Sequence, residues 1–127
     1  MQITLTNQEI WSYINLLNET FGEEQELTLP AKIAYAIEYN RFVLHQKYEF
    51  IEKARMNIGK KYGNITEDKT GYNISTDKIE LAQMELDQLL TINLVVVVIK
   101  LTVDELKACN LTLKQMRAIL FMIDKEG

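Results

Sequence analysis

The 127-residue chain has little of what anchors covalent or metal chemistry. It holds one cysteine, Cys109, so no disulfide can form within it, and a reducing compartment is the expected setting. It holds one histidine, His45, with no Cys pair and no HExxH, so the spacings that build a metal site are missing. His45 lies mid-helix as a surface or boundary residue, and Cys109 reads as a small apolar filler. A Cys109 nucleophile would need a base, and nothing in the sequence brings His45 to it. One proline and five glycines exclude collagen-like and low-complexity architectures. Neither the GxxxxGK nor the GxGxxG phosphate loop occurs, and Gly59-Lys60-Lys61 closes a helix, where both lysines complement the helix dipole. Long apolar runs are also missing. The longest, residues 92–99, is far short of the ~20 residues that span a bilayer. The N-terminus carries no basic residue ahead of an apolar run, so no secretory signal is read there. A soluble, intracellular protein is expected, with no catalytic residue, no metal and no cofactor.

What is present is a globular composition: 47% hydrophobic and 25% charged residues, enough for one domain over residues 1–127 with a core of its own. The net charge of −4 is unevenly placed. Residues 1–30 carry five glutamates and no Lys or Arg. Residues 31–63 carry seven cations against three glutamates, and the remainder has ten acids and seven bases. A basic middle between acidic ends is either an anion-binding patch or a solvated face whose charges pair internally. The acidic whole opposes nucleic-acid binding.

Three capping boxes punctuate the chain: Thr6 with Glu9, Thr102 with Glu105, and Thr112 with Gln115. In each, the Thr hydroxyl accepts from an orphan first-turn amide while the acid or amide reaches back, so helices are predicted to start near residues 7, 103 and 113. The first presents Ile10, Trp11, Ile14 and Leu17 to a core and is expected to fray by Gly22. Pro30 suits a helix start. From it to Tyr62, Ile37, Leu44, Ile51 and Ile58 recur every seven residues, with Ala34, Tyr48 and Tyr62 beside them. This predicts a helix of about thirty residues, roughly 45 Å long, that projects or packs along another helix. Residues 63–75 read as a polar loop with a short strand at residues 72–74. A further helix over residues 76–90, with the stripe Ile79, Ala82, Leu86 and Leu89, would return antiparallel along the long one.

The run Ile92 to Leu101 is β-branched enough to be a strand, and its four successive valines predict that both faces are covered. If one face were open, it would be an oligomer or partner surface. The segment Ile3 to Ile10 is echoed by Ile99 to Leu106: both read I-x-L-T-x-x-E followed by Ile or Leu. Two similar strand-to-helix units are inferred, their strands side by side. The fold expected is α+β and mainly helical: a long antiparallel helical hairpin, a small two- or three-stranded sheet and a C-terminal helix.

The polar cluster that stands out is Lys32, Tyr35, Tyr39, Asn40, Arg41, Tyr48, Arg55, Lys61 and Tyr62. Aromatics interleaved with cations can stack a base and neutralise phosphate, or can form a packing or protein-contact face. Within it Arg41, Tyr48, Arg55 and Tyr62 share a seven-residue spacing. Lys32, Tyr39, Asn40, Arg41, Tyr48, Arg55, Lys61 and Tyr62 are therefore the candidate ligand- or partner-binding residues.

The stretch Leu29-Pro30-Ala31-Lys32-Ile33-Ala34-Tyr35-Ala36-Ile37-Glu38-Tyr39-Asn40 resembles a family of small proteins of tailed bacteriophages and prophages of Gram-positive bacteria. Arg55, the Lys61-Tyr62-Gly63 ending and the late Leu111-Thr112-Leu113-Lys114-Gln115-Met116 extend the resemblance over most of the chain. The family pattern is L-P-x-K-x-Ser/Ala-Y-x-I-x-x-N, a charged helix closing on K-Y-G, a variable loop, an apolar strand and an L-T helix. The loop after Gly63 is shorter and less acidic than in that pattern. The family has no established activity, so the resemblance transfers no catalytic residue. It implies a setting, the cytoplasm of a bacterial host. The expectation is a non-catalytic binding protein that acts on the host, inhibiting an immune protein or sequestering a nucleotide signal. The alternative is a virion or assembly protein. Self-association through the valine strand or the hairpin seam is expected in either case.

Overall fold

All three threonine capping boxes close in the computed structural model, which describes residues 1–124. Strand β1 (Gln2–Thr6) runs directly into helix α1 (Asn7–Thr20). At that junction the Thr6 hydroxyl accepts from the Glu9 N–H at 3.1 Å, and the Glu9 carboxylate accepts from the Thr6 N–H at 3.0 Å. Helix α1 buries Ile10, Ile14 and Leu17, as its stripe predicts, while Trp11 sits half-buried at the edge. Past Gly22 the chain does not simply fray: a short helix α2 (Glu23–Leu27) follows, and Gln25 accepts from the Gly22 N–H at 2.9 Å.

Helix α3 (Ala31–Tyr62) starts behind Pro30 and ends on Lys60 and Lys61, as read from the sequence. Its buried residues run from Ile33 through Ile37, Asn40, Leu44 and Ile51 to Gly59. The helix is therefore seated along its whole length and does not project. Helix α1 lies against one part of it and the elements after Tyr62 lie against another.

Those elements begin with a hairpin. Strand β2 (Gly63–Ile65) pairs antiparallel with β3 (Tyr72–Ile74), so the loop expected over residues 63–75 is shorter and has a second strand. The hairpin lies back on α3 because Gly59 has no side chain: a Cβ there would stand 2.4 Å from Cδ2 of the Tyr72 ring. A single 3-10 turn at Thr76–Lys78 leads into helix α4 (Ile79–Leu90), which returns antiparallel along α3 and completes the long helical hairpin. Of its predicted stripe Ala82 is buried, Leu86 and Leu89 are half-buried, and Ile79 is exposed.

The valine run departs most from expectation. Strand β4 (Asn93–Val97) pairs antiparallel with β1, Ile3 opposite Val96 and Leu5 opposite Leu94. Val96 and Val98 point into the core, but Val95 and Val97 are 62% and 58% exposed, so one face is open and the strand alternates after all. The run of valines hides this alternation because both faces carry the same residue. Pairing with the N-terminal strand ends after Val98, ahead of strand β5 (Leu101–Thr102), helix α5 (Val103–Leu106), helix α6 (Leu113–Ala118) and strand β6 (Ile123–Asp124). Strands β5 and β6 pair in parallel. The two echoed units thus exist as strand-to-cap-to-helix turns, and the strands read ahead of them do lie side by side: β4, the body of the run from Ile92 to Leu101, pairs with β1, while the short β5 pairs with β6. Among the described residues there are three two-stranded sheets in place of one small sheet.

The architecture is α+β and mainly helical, with its core between the β1–β4 sheet, α1, α3 and the C-terminal segment. Leu17, Ile37, Leu44, Leu101, Ile119 and Met122 are fully buried there, each contributing about 1.5–3 kcal/mol by leaving water. No helix among the described residues is long and apolar enough to cross a membrane.

Candidate functional site

The candidate residues all lie on α3, yet the structure does not bring them to one solvent face. Side chains seven residues apart on an α-helix drift by about 20° per heptad, and Arg41, Tyr48, Arg55 and Tyr62 all lie half-buried at the border of the packed face.

Asn40 is fully buried. Its Nδ2 donates to the Ile99 carbonyl and its Oδ1 accepts from the Ile99 N–H, each at 2.8 Å, while Nδ2 also lies 3.2 Å from Met122 Sδ. It occupies the place of a strand neighbour where pairing breaks between β4 and β5. An Asn so committed has no group left for a ligand. Arg41 is likewise turned inward: its guanidinium donates to the Phe21 and Leu17 carbonyls at the end of α1 and lies 3.4 Å from both Glu26 and Glu38. It supplies a cation where the α1 dipole is negative and where α1 itself has no basic residue.

The other three candidate cations also meet carboxylates. Arg55 forms a two-pronged pair with Glu52, at 3.2 and 2.9 Å, and lies over the Trp11 ring with its guanidinium carbon 5.9 Å from the centroid. Tyr48 shares that neighbourhood, and burial together with the Glu52 charge pushes its phenol up. Lys61 pairs with Glu85 across the helical hairpin at 3.0 Å. Hydrogen bonds from Tyr62 and Lys61 hold the Glu85 carboxyl below its ordinary range. Lys32 reaches Glu105 at 2.6 Å, tying α3 to the capping box of α5. Four of the seven cations of the basic middle, Lys32, Arg41, Arg55 and Lys61, are therefore paired within the fold. A phosphate at these cations would have to displace the carboxylates first.

Tyr39 is different. It is exposed, and its ring stacks on Tyr35 at 6.3 Å between centroids and 21° between planes. With Phe42 and Phe50 these tyrosines form a line on the solvent side of α3. Their exposures are 65% for Tyr35, 43% for Tyr39, 61% for Phe42 and 76% for Phe50. At 100° per residue the four fall within an arc of about 80°, opposite Ile37, Leu44 and Ile51, and span about 22 Å along the axis. Lys53 and Lys60 continue the same face, both exposed and neither within ion-pair distance of a carboxylate among the described residues. Phe42 and Phe50 do not figure in the cluster read from the sequence. The signal was available: Tyr35, Tyr39 and Phe42 keep i, i+4, i+7 spacing, out of phase with the buried heptad.

Elsewhere, an open cavity of about 220 Å³ lies between α3, β3 and α4, lined by Ile58, Tyr72, Ile74, Ile79 and Leu86, with Arg55 at one side. His45 is exposed beside Glu49 at 3.4 Å, and Cys109 is half-buried against the core. No group of three or more His, Cys, Asp or Glu side chains among the described residues is arranged to hold a metal ion. No protein family, curated protein or solved structure matches this chain.

Proposed function

We propose that this chain is a non-catalytic, phage-encoded protein that acts in the bacterial host by binding a host protein through the outer face of α3. The observation that carries the binding reading is the line Tyr35, Tyr39, Phe42 and Phe50, four aromatic rings held in water on a rigid helix. Exposed aromatics on one face are the composition of binding hot spots, because a ring brings a large apolar area at little entropic cost. The partner that fits is an apolar protein surface edged with acidic groups, which Lys53 and Lys60 would meet. The phage setting rests on the resemblance of the α3 sequence, and inhibition of a host immune protein is the role it fits. Sequestration of a nucleotide signal has less support, since Lys32, Arg41, Arg55 and Lys61 are each engaged by a carboxylate.

The test is a paired capture from a Gram-positive host lysate, using the parent and a Phe42→Ser/Phe50→Ser variant with unchanged circular dichroism. The reading expects one host protein retained in stoichiometric amount by the parent and lost by the variant. Release of a nucleotide from the parent, with loss on Arg55→Glu or Lys61→Glu, would favour the signal-binding reading instead. A virion or assembly role is the second reading, favoured by the open valine face of β4. It predicts the chain in purified particles at a fixed copy number.

A further inference from the structure

Strand β4 has an open edge whose backbone groups can be assigned from the hydrogen bonds at its two ends. Val98 donates to the Met1 carbonyl at 2.9 Å, the Met1 amino group donates back to the Val98 carbonyl at 2.9 Å, and Asn7 donates to the Ile92 carbonyl at 3.0 Å. In an antiparallel pair, hydrogen-bonded and non-hydrogen-bonded positions alternate. The pairs Met1–Val98, Ile3–Val96, Leu5–Leu94 and Asn7–Ile92 are therefore the bonded ones. At Gln2–Val97, Thr4–Val95 and Thr6–Asn93 the N–H and C=O groups point away from the partner strand. On β4 this aims the backbone of Asn93, Val95 and Val97 at the edge opposite β1, where no further strand pairs. The same three residues carry the exposed side chains. Edge strands are ordinarily blunted by lysine, proline or a bulge, and the stretch from Ile92 to Ile99 has none of these.

We propose that β4 pairs antiparallel with β4 of a second copy of this chain about a two-fold axis at Val95. The register is set by parity. Only a pairing centred on Val95 satisfies all three outward residues together, with Val95 opposite its own symmetry mate and Asn93 opposite Val97 in both directions. The strand is self-complementary in this register, which is what an isologous interface requires and what a chance peptide partner would not share. No charged residue lies on either strand, so no like charges are opposed. The exposed face then joins Val95 and Val97 of both copies, with Thr4 beside each Val95, into one β-branched cluster. The two sheets fuse into a four-stranded sheet in the order β1, β4, β4, β1. At the outer edge of β1 the Thr6 N–H is already taken by Glu9, which removes one donor that a further strand would need. This inference is independent of the partner assigned to α3.

Sedimentation equilibrium of the parent is expected to give twice the 14.8 kDa chain mass. Val95→Lys, on an exposed face where the fold is indifferent to it, is expected to give the single-chain mass with unchanged circular dichroism, because two ammonium groups then meet at the axis. The register is read by oxidative cross-linking in a Cys109→Ser background. Val95→Cys brings two Cα atoms to about 5.5 Å across the bonded pair, within disulfide reach. Val97→Cys leaves its symmetry mate about 14 Å away along the strand. Cross-linking at position 95 and not at 97 is the expected result. A parent that stays monomeric at every concentration, a dimer that survives Val95→Lys, or equal cross-linking at both positions overturns the proposal.

Discussion

Asn40 and Ile99, 59 positions apart in the chain, hydrogen-bond to each other in both directions, the N–H and C=O of one residue against the two ends of one carboxamide. The side chain thereby does what a neighbouring strand would do at the point where β4 gives way to β5. It also fixes the middle of α3 against the end of the valine strand.

Replacing Asn40 should therefore act on the fold. Asn40→Ala leaves two buried backbone groups at Ile99 without partners, at about 1–3 kcal/mol for each unsatisfied group. The expected loss is about 2–5 kcal/mol, read from urea unfolding. Asn40→Asp should cost at least as much, since a carboxylate presents an oxygen to the Ile99 carbonyl. A loss below about 0.5 kcal/mol, the range of ordinary surface substitutions, would contradict the assignment.

Gly59 is fixed by its neighbour Tyr72. Alanine normally gains about 1 kcal/mol over glycine in a helix, but here its Cβ would enter the Tyr72 ring and stand 3.0 Å from the Tyr72 Cβ. The ring cannot move without lifting β3, so Gly59→Ala is expected to destabilise by about 1–3 kcal/mol. It should also raise amide exchange over residues 63–74. Combining it with Tyr72→Ala should recover most of the loss, and the double-mutant cycle measures this coupling directly.

Glu26 gives the fold a pH dependence of unusual sign. Burial, and then the hydrogen bond and charge of Glu38, push its carboxyl up to about 7, and Arg41 only partly opposes them. Between about pH 4.5 and 7 the folded chain keeps a proton that the unfolded chain releases. Stability contributed by this group therefore falls as pH rises through that window and levels off above it. The Tm of the parent, less that of Glu26→Gln, should be higher at pH 5 than at pH 8. Parallel pH profiles for the two proteins would remove Glu26 as the cause.

Arg55 and Lys61 should matter little to partner binding. Both pairs are exposed enough that Arg55→Glu is expected to cost no more than about 1 kcal/mol of stability and Lys61→Glu to leave the fold in place. In a binding assay against a purified protein partner, their affinities should stay within threefold of the parent.

Local signals were readable in the sequence, and long-range ones were not. Thr6, Thr102 and Thr112 declare helix starts because a capping box is closed within four residues. Pro30 bounds α3 by a local signal too, since its missing N–H costs nothing in a first turn. The pairing of β1 with β4 is decided some ninety residues apart, and nothing at Ile3 or Val96 names the other. The echo between Ile3 to Ile10 and Ile99 to Leu106 reflects a shared local turn; the strands leading into it do pair, as β1 and β4, but the echo carries neither their register nor their direction. The polarity of Asn40 points to a ligand until the backbone N–H and C=O of Ile99 are seen beside it. The cations of α3 read either as an anion patch or as internally paired charges, because Glu52, Glu85, Glu26 and Glu105 reach them only through the turn of a helix or through tertiary packing. Phe42 and Phe50 were passed over because single exposed apolar residues are ordinary. They become informative only when Tyr35 and Tyr39 are found on the same face.

The outer face of α3 is tested most directly by alanine scanning against the purified host partner, with Tyr35, Tyr39, Phe42 and Phe50 replaced singly and affinities measured by calorimetry. The account predicts that Phe42→Ala or Tyr39→Ala weakens binding at least tenfold, about 1.4 kcal/mol, while each variant keeps the parent Tm within two degrees. Binding unchanged in all four variants, or lost instead on Arg55→Glu, would contradict it.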